Sequence, residues 1–311
     1  MLDIKFIREN KEIMKEALRR RHSDFDLERL LGIDKRRREL LQEVERLRAD
    51  QNKASEDMTK STEQERSAAL MAMRSLKGIL KSKEEELAKL DNEFAVLMLD
   101  VPNVPDPSVP EGRSDAENVE IRHSGEVPQF SFTPKNYMEL LSGLDLADLE
   151  RGTKVSGFRG YFLKNEGVAL SFAMWQLALN HLQQKGFIPF LTPALVKENI
   201  FVETGKLPHF RGDLYAVDDG LFLAPTAEIP MMGYHEGEML SESELPKKYM
   251  AFSPCYRKEA GSYGKDTKGL YRLHEFMKVE QIILCKAEHQ ESLRWHEEIT
   301  KYAEEIVQML G

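Results

Sequence analysis

Apolar positions recur with helical spacing in two long runs near the start of the chain. In the first, Leu30, Ile33, Arg37, Leu40, Val44, Leu47, Gln51 and Ala54 alternate steps of three and four. In the second, Ala69, Met73, Leu76, Leu80, Lys83, Leu87, Leu90, Phe94 and Leu97 do the same. Such spacing keeps one apolar seam on each helix, the pattern of a coiled coil. The stretch between them, 55–67, is polar and free of proline. Two seams of similar length joined by a short polar turn predict an antiparallel hairpin, each helix burying its stripe on the other. Ahead of it, Ile7, Ile13, Met14, Ala17 and Leu18 predict a short amphipathic helix over 7–20. Its basic end, Arg19-Arg20-Arg21, suits a helix C-terminus.

The seam stops at Pro102, Pro105, Pro107 and Pro110, which cannot continue a helix. The expected organisation is therefore a helical-hairpin domain over 1–100, a Pro-rich linker over 101–116 and a second domain over 117–311. In that second part the texture changes. Tyr215-Ala216-Val217, Leu221-Phe222-Leu223 and Glu280-Gln281-Ile282-Ile283-Leu284 read as strands, and 169–185 and 293–310 as helices. Strands and helices without regular βαβ alternation predict an α+β fold with an antiparallel sheet.

Composition narrows this only a little. The net charge of −9 argues against indiscriminate nucleic-acid binding, though one basic face on an acidic protein is compatible with it. The opening Met1-Leu2-Asp3-Ile4-Lys5 is no signal peptide, no apolar run approaches the roughly 18 residues of a membrane helix, and two cysteines build no disulfide framework. A cytoplasmic protein is expected. His123, His181, His209 and His274 lack metal-ligand spacing and read as surface or loop residues; Cys255 reads as a strand residue.

The block over 252–281, FSPCYRKEAGSYGKDTKGLYRLHEFMKVEQ, carries the densest chemistry. Arg257 and Arg272 flank a Gly/Ser/Lys-rich stretch, each in a strand-like run, so the block reads as a hairpin with a long loop. Guanidinium forks suit polyphosphate oxygens. Phe276 offers a flat face to a nucleobase, and Glu259 and Glu280 can bind amino or hydroxyl groups. The plain alternative is cross-strand ion pairs around a core phenylalanine. The basic run Lys35-Arg36-Arg37-Arg38 on the hairpin is likewise open to two readings, a structural coiled coil or a nucleic-acid arm.

Taken together, Tyr-Arg-Lys-Glu-Ala-Gly-Ser from Tyr256 and Arg-Leu-His-Glu-Phe-Met-Lys-Val-Glu ending at Glu280 resemble the second signature motif of class II aminoacyl-tRNA synthetases, in its seryl form. Leu223-Ala224-Pro225-Thr226-Ala227-Glu228 resembles that family's serine-binding T-x-E segment, and Gly186-Phe187-Ile188-Pro189-Phe190-Leu191-Thr192-Pro193 its first, dimer-forming motif. Thr204-Gly205-Lys206-Leu207-Pro208 and the opening Leu2-Asp3-Ile4-Lys5-Phe6-Ile7-Arg8 are also similar to the family's. Several long motifs in order are far more specific than one short pattern.

The resemblance implies a homodimeric ligase that activates serine with ATP and transfers it to tRNA(Ser), and in this family also tRNA(Sec). It implies an ATP site at Arg257 (α-phosphate), Lys258, Glu259, Arg272 (γ-phosphate) and Phe276 (stacked on adenine), with Mg2+ as counter-ion. Thr226, Ala227, Glu228 and Glu280 would surround serine, and the hairpin would grip tRNA through Lys35, Arg36, Arg38, Arg46, Arg48 and Lys53.

Two features depart from the pattern. Nothing after Glu280 resembles the third class II motif, so the chain is expected to be a fragment or the product of a truncated gene, and a deficient catalyst alone. Tyr137 stands where the family commonly has histidine. A carrier-protein ligase would lack the long hairpin. A non-catalytic RNA-binding paralogue would suit the missing motif but gives no reason to retain the site residues.

Overall fold

The structure, a computed structural model, describes residues 2–59, 63–260 and 269–311. It divides into two compact units, Met1–Arg122 and His123–Gly311.

The first unit contains α1 (Ile4–Glu9), α2 (Lys11–Arg20), α3 (Leu27–Thr59) and α4 (Glu63–Asp100). The single helix expected over 7–20 is two, broken at Asn10, whose extended φ of −123° leaves the helical region. Asp3 caps α1 through its side chain, and Asn10 Nδ2 returns to Phe6 O at 3.0 Å. The antiparallel hairpin is present: α3 and α4 are clasped by Arg29–Glu93, Arg36–Glu86 and Lys83–Glu43. Leu30, Leu40, Val44 and Leu80 are buried along the expected seams. Both helices run into the polar stretch, leaving 60–62 as the part of the turn outside the described residues, together with the side chain of the seam position Ala69. At the hairpin base, Ile7, Met14 and Leu18 pack on Leu27, Leu30, Met98 and Val101. The Pro-rich segment is tied to α2, since Arg20 Nη2 donates to the carbonyls of Asp106 (3.3 Å) and Val109 (2.5 Å).

The second unit runs α5 (Tyr137–Gly143), β1 (Ala147–Asp148), α6 (Leu149–Ser156), β2 (Phe162–Leu163), α7 (Glu166–Gln184), β3 (Ile188–Leu191), β4 (Leu195–Lys197), α8 (Glu198–Glu203), β5 (Ala216–Val217), β6 (Leu221–Leu223), α9 (Glu228–Gly233), β7 (Lys247–Tyr256), β8 (Glu275–Leu284) and α10 (His289–Leu310). The α+β expectation holds, with one difference in the sheet. β7 and β8 pair antiparallel as expected, but β3 joins β7 parallel. The long excursion between them gives the chain room to return in the same direction, which a hairpin cannot do. β4, β6 and β5 form a second, antiparallel sheet.

β7 is central only where β3 covers it, from Tyr249 to Phe252. Pro254 lies past that span, so its missing amide proton deprives no neighbour of a bond. One face of the β7–β8 pair packs Met250, Val279 and Ile283 against Leu182 of α7 and Ile299 of α10. On the same helices His181, expected at the surface, is 7% exposed, with Nε2 2.9 Å from Glu305. Its helix position turned it inward, which isolated spacing does not reveal. The other face carries the site.

Candidate functional site

Strand parity assembles the site. Cross-strand partners Ala251 and Glu280, Ser253 and Lys278, and Cys255 and Phe276 share one face of β7 and β8. Along β8 that face therefore presents Phe276, Lys278 and Glu280 in sequence. β6 leads into this face from the side: Tyr256 N donates to Ala224 O at 3.0 Å, fixing the Pro225-Thr226-Ala227 turn beside β7.

Thr226 is 5% exposed and donates through Oγ1 to Glu280 Oε2 at 2.6 Å. The same carboxylate oxygen accepts from Glu228 N at 3.1 Å and lies 3.0 Å from Lys278 Nζ. Glu228 thus enters through its backbone amide, its side chain being exposed. Ala227 is fully buried at the N-terminal end of α9.

Arg257 and Arg272 lie just outside the strands rather than within them, one residue after Tyr256 and three before Glu275. Arg257 Nε donates to Pro225 O at 3.2 Å, and its guanidinium sits 5.1 Å from the centre of the Phe276 ring. Arg272 Nη1 bonds Glu259 Oε2 at 2.6 Å. Glu259 has φ +54°, a left-handed conformation that costs a non-glycine residue about 1 kcal/mol or more. Lys258 points elsewhere, with Nζ 5.6 Å from the Tyr215 ring. The Gly/Ser/Lys stretch over 261–268 lies outside the described residues.

Thr226, Arg257, Glu259 and Arg272 line a single cavity of about 300 Å3, with Lys206 and Asp213 on its wall. Cationic forks at one end and a hydroxyl–carboxylate pair beside it provide for a polyanion next to a small ammonium-bearing molecule.

Four further contributors were given no role at the site from sequence. Asp213 O accepts from Lys258 N, and Asp213 Oδ1 from Ala260 N, each at 2.9 Å. His274 Nδ1 donates to Arg257 O at 3.0 Å while Arg257 N donates to His274 O at 2.9 Å. Tyr137 Oη accepts from Leu270 N at 3.2 Å and packs edge-on against Tyr271. A side chain at Gly269, which has φ +84°, would collide with that hydroxyl. Tyr137 in place of histidine therefore has a physical role. Lys278 is the fourth, and strand alternation around Phe276 and Glu280 was the signal that could have found it. Nearby, burial and then the Glu275 carboxylate push the Tyr256 phenol above its ordinary value, so it stays a neutral donor.

On the hairpin, Lys35, Arg36, Arg38, Arg46, Arg48 and Lys53 are all exposed. Three are engaged: Arg36 with Glu86 (2.8 Å), Arg48 with Glu84 (2.7 Å), and Arg38 with Asp34 (3.1 Å). Asp34, only 1% exposed, also binds Arg8. Arg37, on the seam, pairs with Asp91 and lies 4.8 Å from the Phe94 ring centre. No ion pair joins Lys35, Arg46 or Lys53 to a described residue.

Residues 1–105 match the seryl-tRNA synthetase N-terminal domain, and residues 215–311 the tRNA synthetase class II core domain (G, H, P, S and T). The serine–tRNA ligase of Deinococcus radiodurans is 40% identical over 311 residues, covering 100% of this chain and 73% of the relative. This chain belongs to the seryl-tRNA synthetase family. The serine–tRNA ligase of Dictyoglomus turgidum is 41% identical over 319 residues, with 74% of its length covered. Among solved structures, the seryl-tRNA synthetase of Pyrococcus horikoshii complexed with ATP superposes with TM-score 0.88 at 36% identity, covering 99% of this chain and 74% of that one. The cytoplasmic serine–tRNA ligase of Naegleria fowleri in complex with AMP gives TM-score 0.84 at 27% identity, with coverages of 99% and 72%. The chain thus spans about three quarters of the seryl-tRNA synthetases it matches. The synthetase expectation is met in both parts, the helical arm and the class II core.

Proposed function

We propose that the cavity lined by Thr226, Arg257, Glu259 and Arg272 is where this ATP-dependent serine–tRNA ligase activates serine. The observation that carries the reading is that one cavity joins both residue sets, the arginines expected on phosphates and the threonine bonded to Glu280. The serine ammonium sits at Thr226 and Glu280, and the ATP phosphates at Arg257 and Arg272. The serine carboxylate then attacks the α-phosphorus, releasing pyrophosphate and forming seryl-adenylate. The terminal ribose hydroxyl of tRNA attacks the activated carbonyl and expels AMP. Catalysis of the first step is positioning plus charge neutralisation, with no protein nucleophile.

The described residues contain no group of three His, Cys, Asp or Glu side chains placed to hold a metal. Mg2+ would be held chiefly by the nucleotide phosphates placed at Arg257 and Arg272, where it would supply further positive charge. Residues 1–100 serve as the tRNA arm, 101–116 as linker and 117–311 as the catalytic part. The arm binds tRNA(Ser), and tRNA(Sec) with it, by backbone and shape, the natural mode for exposed Lys and Arg on a helix. A homodimer through α7 and β3 accounts for their exposed Leu170, Phe172, Met174, Ile188 and Leu191. A cytoplasmic location is part of this proposal; no described helix is long and apolar enough to cross a membrane.

Glu280→Ala tests the serine assignment. Removing the carboxylate leaves an unpaired substrate ammonium, so serine-dependent ATP–pyrophosphate exchange should lose about 2–4 kcal/mol of transition-state stabilisation. Exchange within a few-fold of the parent enzyme would refute it.

A further inference from the structure

The place of the substrate ammonium is held by the chain's own ammonium. Lys278 Nζ lies 2.6 Å from Thr226 Oγ1 and 3.0 Å from Glu280 Oε2. These are the two groups assigned above to serine, and the inference rests on that assignment. The arrangement follows from β8, where Lys278 and Glu280 sit two residues apart on one face and Thr226 is bonded to both. An exposed Lys–Glu pair on a strand would be an ordinary surface contact. This one differs because it closes on a buried threonine whose hydroxyl serves both partners.

A second ammonium cannot join the first at the same carboxylate oxygen. Like charges a few ångströms apart, partly shielded from water, repel strongly. Serine therefore displaces Lys278 or does not bind. The lysine has a way out, being 27% exposed on a flexible four-carbon stem.

We propose that Lys278 is a placeholder cation that neutralises Glu280 in the empty pocket and sets serine affinity by having to leave. A pocket filled by its own lysine in about nine of ten molecules raises the apparent Kd for serine about tenfold. Lysine in this role also disfavours molecules with no ammonium, since they bring nothing to replace it at Glu280.

Lys278→Met keeps the length and removes the charge. In this chain, serine Kd by calorimetry should fall about tenfold, with ATP Kd unchanged. Lys278→Arg, which keeps a cation in the pocket, should bind serine no more tightly than the parent. Glyceric acid, with hydroxyl in place of the ammonium, should gain nothing from Lys278→Met. Thermal unfolding of each variant establishes that it is folded. A folded Lys278→Met variant whose serine Kd is unchanged or raised overturns the placeholder. Glu280→Gln separates this from the underlying assignment: serine binding should be lost, and its retention at the parent's level would overturn the serine site itself.

Discussion

Asp213 tests whether the conformation of Glu259 is imposed from outside. Glu259 adopts φ +54°, and the amides on either side of it, Lys258 N and Ala260 N, are both held by Asp213 at 2.9 Å. The backbone strain at Glu259 is about 1 kcal/mol or more. A carboxylate accepting from an amide contributes about 1.5 kcal/mol at the low end of the charged range. The two are of similar size, so losing the side-chain bond is enough to release the turn. Asp213→Ala should therefore let Glu259 relax and lose its 2.6 Å bond to Arg272. Because both line the cavity assigned to ATP, the ATP KM should rise roughly tenfold, the equivalent of about 1.4 kcal/mol, while serine KM moves little. Asp213→Asn retains one acceptor oxygen and should fall between. The assay is the ATP dependence of serine-driven pyrophosphate exchange, with thermal unfolding as the control for folding. An ATP KM within twofold of the parent in folded Asp213→Ala would show that Glu259 holds its own conformation and that the restraint argument is wrong.

Tyr137→Phe removes the acceptor of Leu270 N, so hydrogen exchange at that amide should accelerate by the equivalent of about 1 kcal/mol, with global stability nearly unchanged; unchanged protection would mean the hydroxyl does not hold the chain there. On the hairpin, charge reversal of Arg46 and Lys53 should weaken tRNA binding across ionic strengths and reduce its salt slope by about one per lost phosphate contact. Reversal of Arg36, paired with Glu86, should also loosen the hairpin and lower its helical melting temperature. tRNA affinity that survives both changes would make the arm merely structural.

What the sequence revealed and what it hid divide along contact range. The hairpin seams are a local signal repeated over many turns, so Leu40, Val44 and Leu80 could be placed inside it from spacing alone. The break at Asn10 left no such mark, because Ile7 and Met14 keep a common buried face across it. In the second unit, the motif residues were legible as chemical types in a familiar order. Their partners were not: Lys278 and Thr226 are separated by 52 positions, and Asp213 and Ala260 by 47. The parallel pairing of β3 with β7 was invisible for the same reason, since no strand pattern names its neighbour.

The hidden residues share a task that the visible ones cannot perform. Arg257, Glu259 and Arg272 lie outside the strands, on chain that no ladder stiffens, yet charge neutralisation at a phosphate works only if the guanidinium is already in position. Asp213 holds the chain at Lys258 and Ala260, His274 ties Arg257 to the opposite stem by two bonds, and Tyr137 holds Leu270. Each clamp engages backbone rather than the functional side chains. Two arginine donors are nonetheless spent internally, Arg257 Nε on Pro225 O and Arg272 Nη1 on the Glu259 carboxylate. A phosphate entering there must compete with that carboxylate, which makes the Glu259 conformation, and therefore Asp213, part of how strongly Arg272 can hold a phosphate.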